Sequence, residues 1–219
     1  MTPTVIQLLV LAGIAVFLIL RLRNTLGTRD GYERPVDRPQ PAPNGAARDF
    51  EVIEGGPDQD IADHVDPDSS SGLALAGMKS IEPNFSVHEF LSGSRQAYEM
   101  ILMAFEGGDL ETLGQFLSRD VFDSFAEVID DRQGQGLTIN ATFDGIRELT
   151  LKDAMFDAAN NEAEITIRFV GELTSIVKNA DGEVVEGDPM KSKSQTDVWT
   201  FARIMGSDDP NWELVATGE

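Results

Sequence analysis

Residues 84–109 read NFSVHEFLSGSRQAYEMILMAFEGGD, and the rest of the fold is read outward from them. Ser86 is a natural N-cap, and Glu89 stands three positions on, the spacing of a capping box. Phe85 and Phe90 occupy the two positions of a hydrophobic staple. Val87, Phe90, Leu91, Ser94, Tyr98, Ile101, Leu102 and Phe105 then recur at the helical period, and Gly107-Gly108 closes the run. The spacing predicts one long helix.

Two further helices are expected downstream. One is capped by Asp109 and runs through Phe116. The other starts after Ser118, turns Val121, Phe122, Phe125, Val128 and Ile129 inward, and ends at Gly134-Gln135-Gly136. The period then changes from 3.6 to 2. Leu137–Ile146, Leu149–Phe156, Glu162–Lys178, Lys191–Ile204 and Trp212–Thr217 alternate or carry β-branched residues, the pattern of strands. Asn160-Asn161 and Ala180-Asp181-Gly182 are turn signals suggesting hairpins. In the third of these strands Ile165, Ile167 and Phe169 share one face, while Glu164, Thr166, Arg168 and Glu172 share the other. Helices followed by a curved antiparallel sheet with one wet face make a segregated α+β domain over 81–219.

Such a domain often wraps its sheet around the helices as a cone with an apolar cavity. Tyr98, Leu102, Phe105, Phe122, Phe125, Phe169, Trp199 and Phe201 are the candidate lining. The same residues also read as core, and the core reading is the heavier one, because aromatics at helical or strand spacing usually fill interiors.

Upstream, residues 24–80 read as a tether. RPVDRPQPAPNGAA carries Pro35, Pro39, Pro41 and Pro43, which favour extended backbone. The stretch DFEVIEGGPDQDIADHVDPDSSSG is acidic and poor in large apolar groups, the composition of disorder. Phe50, Val52 and Ile53 stand among its acids as a candidate docking motif, though a solvated tether is the plainer reading. Residues 1–23 are expected to be a membrane anchor. VIQLLVLAGIAVFLIL, from Val5 through Leu9, Ile14 and Phe17 to Leu20, approaches the ~20 residues that cross a bilayer. A cleaved signal peptide should begin with basic residues and end in a small-residue site. Here no charge precedes the apolar run, and Arg21, Arg23 and Arg29 follow it. The positive-inside rule therefore puts the C-terminal side in the cytoplasm.

Charge narrows the partners. The 219 residues carry a formal net charge of -21. It is concentrated C-terminally: residues 1–48 hold six Arg against three acids, whereas 71–219 hold eleven basic side chains against twenty-seven acidic. So acidic a domain repels phosphate backbones and anionic head groups, so no nucleic acid is expected and basic partners are favoured. There is no cysteine and there are two histidines, His64 and His88. Thiol chemistry is excluded, and little remains for zinc or a Ser-His triad. No phosphate-binding glycine loop or metal-ligand spacing occurs, and no cofactor or catalytic residue is expected. Asp197 is the one acid worth suspecting, since alternation puts it on the face of Trp199, Phe201 and Arg203. Arg203 lies six residues on, about 20 Å along a strand at ~3.3 Å per residue, so direct pairing is not expected. A strand-end acid that caps or bridges a neighbour is the plainer reading.

Asn84–Leu91 (NF-x-x-x-x-FL), Ala97–Asp109 (A-Y-E-x-I-x-x-AF-x-x-GD), DVWTFAR at Asp197–Arg203 and DPNWELVAT at Asp209–Thr217 together resemble the C-terminal domain of the mitochondrial inner-membrane translocase subunit forty-four family. LRLRNTLGTRDGYE at Leu20–Glu33, directly after the apolar run, resembles its bacterial TimA-type branch. The resemblance covers the anchor and about 80–219, and leaves the linker out. It implies a cone-shaped fold similar to nuclear transport factor two with a large hydrophobic pocket, and a place at the bacterial inner membrane. The mitochondrial relatives in this resemblance tether a chaperone motor beside a protein-conducting channel and bind anionic lipid through basic surfaces. This domain is acidic, so attachment falls to Val5–Leu20, and the chaperone-binding region of those relatives is replaced here by a linker.

The reading that follows is a single-pass adaptor, not an enzyme, binding a protein partner (a membrane protein or chaperone) or an apolar segment through its pocket. A lipid or small-molecule carrier and an isomerase- or dehydratase-like cone enzyme are the alternatives. Self-association through the exposed sheet face stays open.

Overall fold

The computed structural model describes residues 58–218. Five helices precede a sheet: α1 (Gln59–Ala62), α2 (Ser70–Ile81), α3 (Val87–Gly107), α4 (Leu110–Leu113) and α5 (Arg119–Gly134). The strands are β1 (Thr138–Asp157), β2 (Glu162–Lys178), β3 (Val184–Gly187), β4 (Lys193–Ile204) and β5 (Glu213–Gly218). All pairings are antiparallel, in the order β1-β2-β4-β5, with β3 continuing beside the far end of β2. The expected α+β class, helices packed on a curved antiparallel sheet, is what forms. Among these residues no helix is long and apolar enough to cross a membrane. The Val5–Leu20 segment and the Pro-rich stretch lie outside the described residues.

The long helix forms as its sequence dictates. Ser86 Oγ accepts the Glu89 N–H at 3.3 Å, and Gly108 closes α3 in the left-handed conformation (φ 72°) that glycine adopts without strain. The staple is present too, with the Phe85 and Phe90 rings 6.4 Å apart. The strongest cap comes from elsewhere, however. Asp60, from α1, accepts the Val87 N–H (2.7 Å), the His88 N–H (2.9 Å) and the Ser86 hydroxyl (3.2 Å).

That contact corrects the expected tether over 24–80, because residues 58–80 belong to the folded domain. Ile61, Leu75 and Met78 are core residues. Ser71 donates to Asp153 (2.7 Å) and accepts the Ala154 N–H (3.2 Å), binding α2 to β1. Lys79 ties α2 back to Asp58 (2.8 Å) and Asp60 (2.7 Å). The acidic composition is real, but two of its acids, Asp58 and Asp60, are spent on Lys79, and Asp60 also on a helix N-terminus, where negative charge is favourable.

Leu137–Ile146 and Leu149–Phe156 are one strand rather than two. Three register shifts, at Phe143/Gly145, Ile146/Glu148 and Leu151/Asp153, let β1 bend without breaking. The helix after Asp109 is a single turn, Leu110–Leu113, and β3 had no signal that set it apart. On α5, Val121 and Ile129 are buried, but Val128 is 45% exposed and points outward, against expectation. Along β2 the predicted alternation holds: Ala163, Ile165, Ile167, Phe169, Gly171 and Leu173 are buried, and the residues between them are half-buried.

Candidate functional site

The eight aromatic and aliphatic residues proposed as a pocket lining divide into three groups, and five of them are buried. Tyr98, Leu102, Phe169, Trp199 and Phe201 are buried. Tyr98 stacks on Phe169 with ring centroids 4.4 Å apart and planes 12° from parallel, and Phe143 and Trp199 close in at 6.0 and 4.8 Å. A Cβ on Gly171 would lie 2.5 Å from the Tyr98 hydroxyl oxygen, so glycine is what allows the ring to seat against the sheet. Phe105 and Phe125 pair separately, 4.8 Å apart, beneath the Arg132 guanidinium. Arg132 also donates to the Phe105 carbonyl and faces Glu106. Burial raises the Glu106 carboxyl, Arg132 pulling the other way. Phe122 borders a shallow hollow of about 390 Å³ with Gly114, Leu117, Arg119 and Asp123.

The Tyr98 hydroxyl is not orphaned in this interior. It donates to Asp197 Oδ2 at 2.6 Å, and Gln195 Nε2 donates to the same oxygen at 2.9 Å. Burial, reinforced by that carboxylate, pushes the phenol well above its ordinary range. Asp197 is thus the acceptor that satisfies a buried tyrosine, which agrees with its plainer reading as an acid bridging a neighbour.

An open groove of about 440 Å³ lies at the other end of α3. Its walls are the α2–α3 connection (Glu82 to Ser86), the first half of α3 (Glu89, Phe90, Gly93, Ser94, Ala97), Gln115-Phe116, and Phe201, Arg203 and Pro210-Asn211-Trp212 from the β4–β5 side. Phe85, Phe90, Phe201 and Trp212 make its aromatic surface, with Phe90 4.7 Å from Trp212 and edge-on to Phe201 at 6.2 Å. Gly93 leaves the trough wide, because nothing stands within 4 Å of where its Cβ would be. Arg203 props the far wall: it pairs with Glu82, donates to the Pro210 carbonyl at 3.0 Å, and sits 5.4 Å from the Trp212 ring centre. Glu82 also accepts the Gly206 N–H, joining the end of α2 to the turn after β4.

Of the proposed lining only Phe201 reaches this groove. Phe85, Phe90, Phe116 and Trp212 were missed as a set. The usable signals were a staple whose two rings face outward as well as inward, and an unforced glycine at Gly93 in the middle of a helix, which costs helix stability unless it serves something. Among the described residues no group of acidic or His side chains could hold a metal ion.

The Tim44-like domain family model matches residues 71–219. The human mitochondrial import inner membrane translocase subunit TIM44 is 27% identical over 144 residues, covering 64% of this chain and 31% of that protein. The rat protein of the same name is 26% identical over the same coverage. The chain therefore spans less than a third of the length of these curated relatives. Among solved structures, the intermembrane space region of the chloroplast protein ARC6 aligns with a TM-score of 0.38 at 15% identity, over 60% of this chain and 92% of that one. A de novo β-sheet design aligns at 0.27, also at 15% identity, over 60% of this chain and 88% of that one. Both scores describe a loose likeness of outline only. With its match running from α2 to the C-terminus, the chain belongs to the Tim44-like domain family.

Proposed function

We propose that this protein is a membrane-tethered adaptor in protein transport or membrane-protein assembly, whose groove receives the apolar face of an amphipathic, basic helix from a protein partner. The carrying observation is the open aromatic trough between Phe85, Phe90, Phe201 and Trp212, widened at Gly93 and rimmed by Glu82 and Glu89. A helix laid in such a groove anchors through side chains at i, i+3, i+4 and i+7. The volume suits those anchors and not a whole helix, whose diameter is about 10 Å. Desolvating the aromatic surface supplies the affinity, at roughly 25 cal/mol per Å² before ordering costs. Glu89, beside the neutralised Glu82–Arg203 pair, and the net charge of -21 select a basic partner and hasten its arrival.

The relatives' name, subunits of an import translocase, supports the transport setting. In this reading residues 1–23 hold the domain at the bacterial inner membrane, with the C-terminal domain in the cytoplasm. The stretch up to Asp58 is the tether that keeps the groove at high local concentration near membrane partners. The groove's openness favours a peptide over a lipid or small-molecule carrier, which calls for a deep, enclosed cavity.

Trp212 is a built-in reporter. Titrating the full chain in detergent with a synthetic helix bearing Leu and Phe on one face and Lys on the other should shift its emission. Affinity should fall as salt rises, and Gly93→Leu, which fills the trough, should lose binding. Undiminished binding by Gly93→Leu, or equal binding of the same helix with Glu in place of Lys, would reject the reading.

A further inference from the structure

Building on the proposed groove, we infer that α1 is a latch that couples the chain entering the domain from its N-terminal side to the groove, with Asp60 as the residue that positions the groove wall. α1 is four residues long and buries only Ile61, so little apolar surface keeps it in place. Its hold is mostly polar and falls on two side chains. Lys79 of α2 pairs with Asp58 at 2.8 Å and with Asp60 at 2.7 Å. Asp60 reaches on to α3, accepting the Val87 and His88 N–H groups and the Ser86 hydroxyl.

That grip reaches the groove wall. The first N–H groups of a helix have no partner within it, and a carboxylate from another element supplies one for Val87 and His88. Ser86 lines the groove; it donates to Asp60 and accepts the Glu89 N–H at 3.3 Å, and Glu89 lines the groove as well. Phe85, the residue before it, holds its ring 6.0 Å from that of Trp212. Without Asp60 the start of α3 loses three ties at once, and the wall from Phe85 to Phe90 loosens. Movement stops short of the sheet, because α2 is fixed separately through Ser71 to Asp153 and Ala154. Residues 1–57 join the domain at Asp58, so a pull on them reaches the latch before any other element. The groove therefore grips its partner while α1 is seated and lets go when α1 is drawn off. Linkage makes the coupling reciprocal, so an occupied groove holds α1 more firmly in place.

Lys79→Gln loosens the latch from a residue that does not line the groove. Amide exchange of the full chain in detergent is read residue by residue. The variant should speed exchange roughly ten-fold at Val87 and His88 and roughly five-fold at Phe85 and Phe90, with the β2 amides unchanged. The synthetic helix with Leu and Phe on one face and Lys on the other should bind the Lys79→Gln chain roughly five-fold more weakly, read by Trp212 emission. Added to the unaltered chain, it should slow exchange at Ile61, Ala62 and Val65, which line no part of the groove. Unchanged exchange at Phe85 and Phe90 in the variant, or helix binding that leaves Ile61, Ala62 and Val65 as they were, would overturn the latch. A helix that does not bind at all rejects the groove reading instead, and exchange at Phe85 and Phe90 then decides the latch by itself. Should Lys79→Gln disturb the β2 amides too, Asp58→Asn, which removes one of the two Lys79 pairs at an exposed position, takes its place in the same comparison.

Discussion

Two turns of one helix separate a region that is shut from a region that is open. At Tyr98, α3 meets a sheet surface of Phe169, Gly171 and Trp199, and ring stacks on ring with no space left. At Phe90 the same helix meets Phe201 and Trp212, but Gly93 and Ala97 on the helix are too small to fill the gap, and the Arg203–Glu82 pair props the far wall. Both regions are rich in aromatics. What separates them is the placement of the small residues: the glycine opposite Tyr98 is on the sheet and lets the layers close, while the glycine beside Phe90 is on the helix and keeps them apart.

The sharpest way to break the comparison is at its closed end. Phe169→Ala removes the ring beneath Tyr98 and should cost about 3–5 kcal/mol in chemical denaturation. A loss below about 1 kcal/mol would mean that the Tyr98 region is not close-packed after all. Gly171→Ala comes next. Its methyl falls on the Tyr98 hydroxyl and ring, so roughly 1–3 kcal/mol should be lost to overpacking, read by the same unfolding curves.

Asp60 belongs to the open end, where it holds the start of α3 and with it the groove wall. Burial opposes its charge, but Lys79 and the N–H groups of His88 and Val87 outweigh that and hold its carboxyl at about 2. Asp60→Ala should cost about 1 kcal/mol, the ordinary worth of an N-cap. A carboxyl lowered in the folded state stabilises fully above its unfolded value near ~4 and ceases to as pH falls toward ~2. The gap between the variant and the unaltered chain in urea should therefore be full at neutral pH and shrink below about pH 4. A gap independent of pH would show that Asp60 acts without its charge. The smallest expected effect on stability is that of Gly93→Leu. Its side chain points into empty space, and replacing a mid-helix glycine should leave the unfolding free energy unchanged or raised by about 0.5–1 kcal/mol. Appreciable destabilisation would mean that the trough is narrower than it appears.

Three readings met their limit for one physical reason. Residues 58–80 looked like tether because composition counts acids without seeing what they face, and the partners, Lys79 for Asp58 and the α3 N-terminus for Asp60, lie 21 and 27 residues on. The pocket lining was drawn from the bulkiest aromatics, yet bulk fills space, and the space sits beside Gly93. Asp197 drew attention as a lone acid among aromatics. Its reason for being there, the Tyr98 hydroxyl, comes from a helix 99 residues away in sequence.

What the chain determines by itself is what is local in it. The helix over 87–107 with its cap, staple and glycine stop, the change of period after Gly136, the alternation of β2 and the turn at Asn160-Asn161 all rest on contacts within a few residues. The excess of acid that favours basic partners needs no fold at all. Tertiary structure alone decided that α1 and α2 join the domain and that Tyr98 is sealed and Phe90 is not. Each of those outcomes is set by how closely two distant layers approach, and that distance depends on side-chain volume and charge arriving from opposite ends of the sequence.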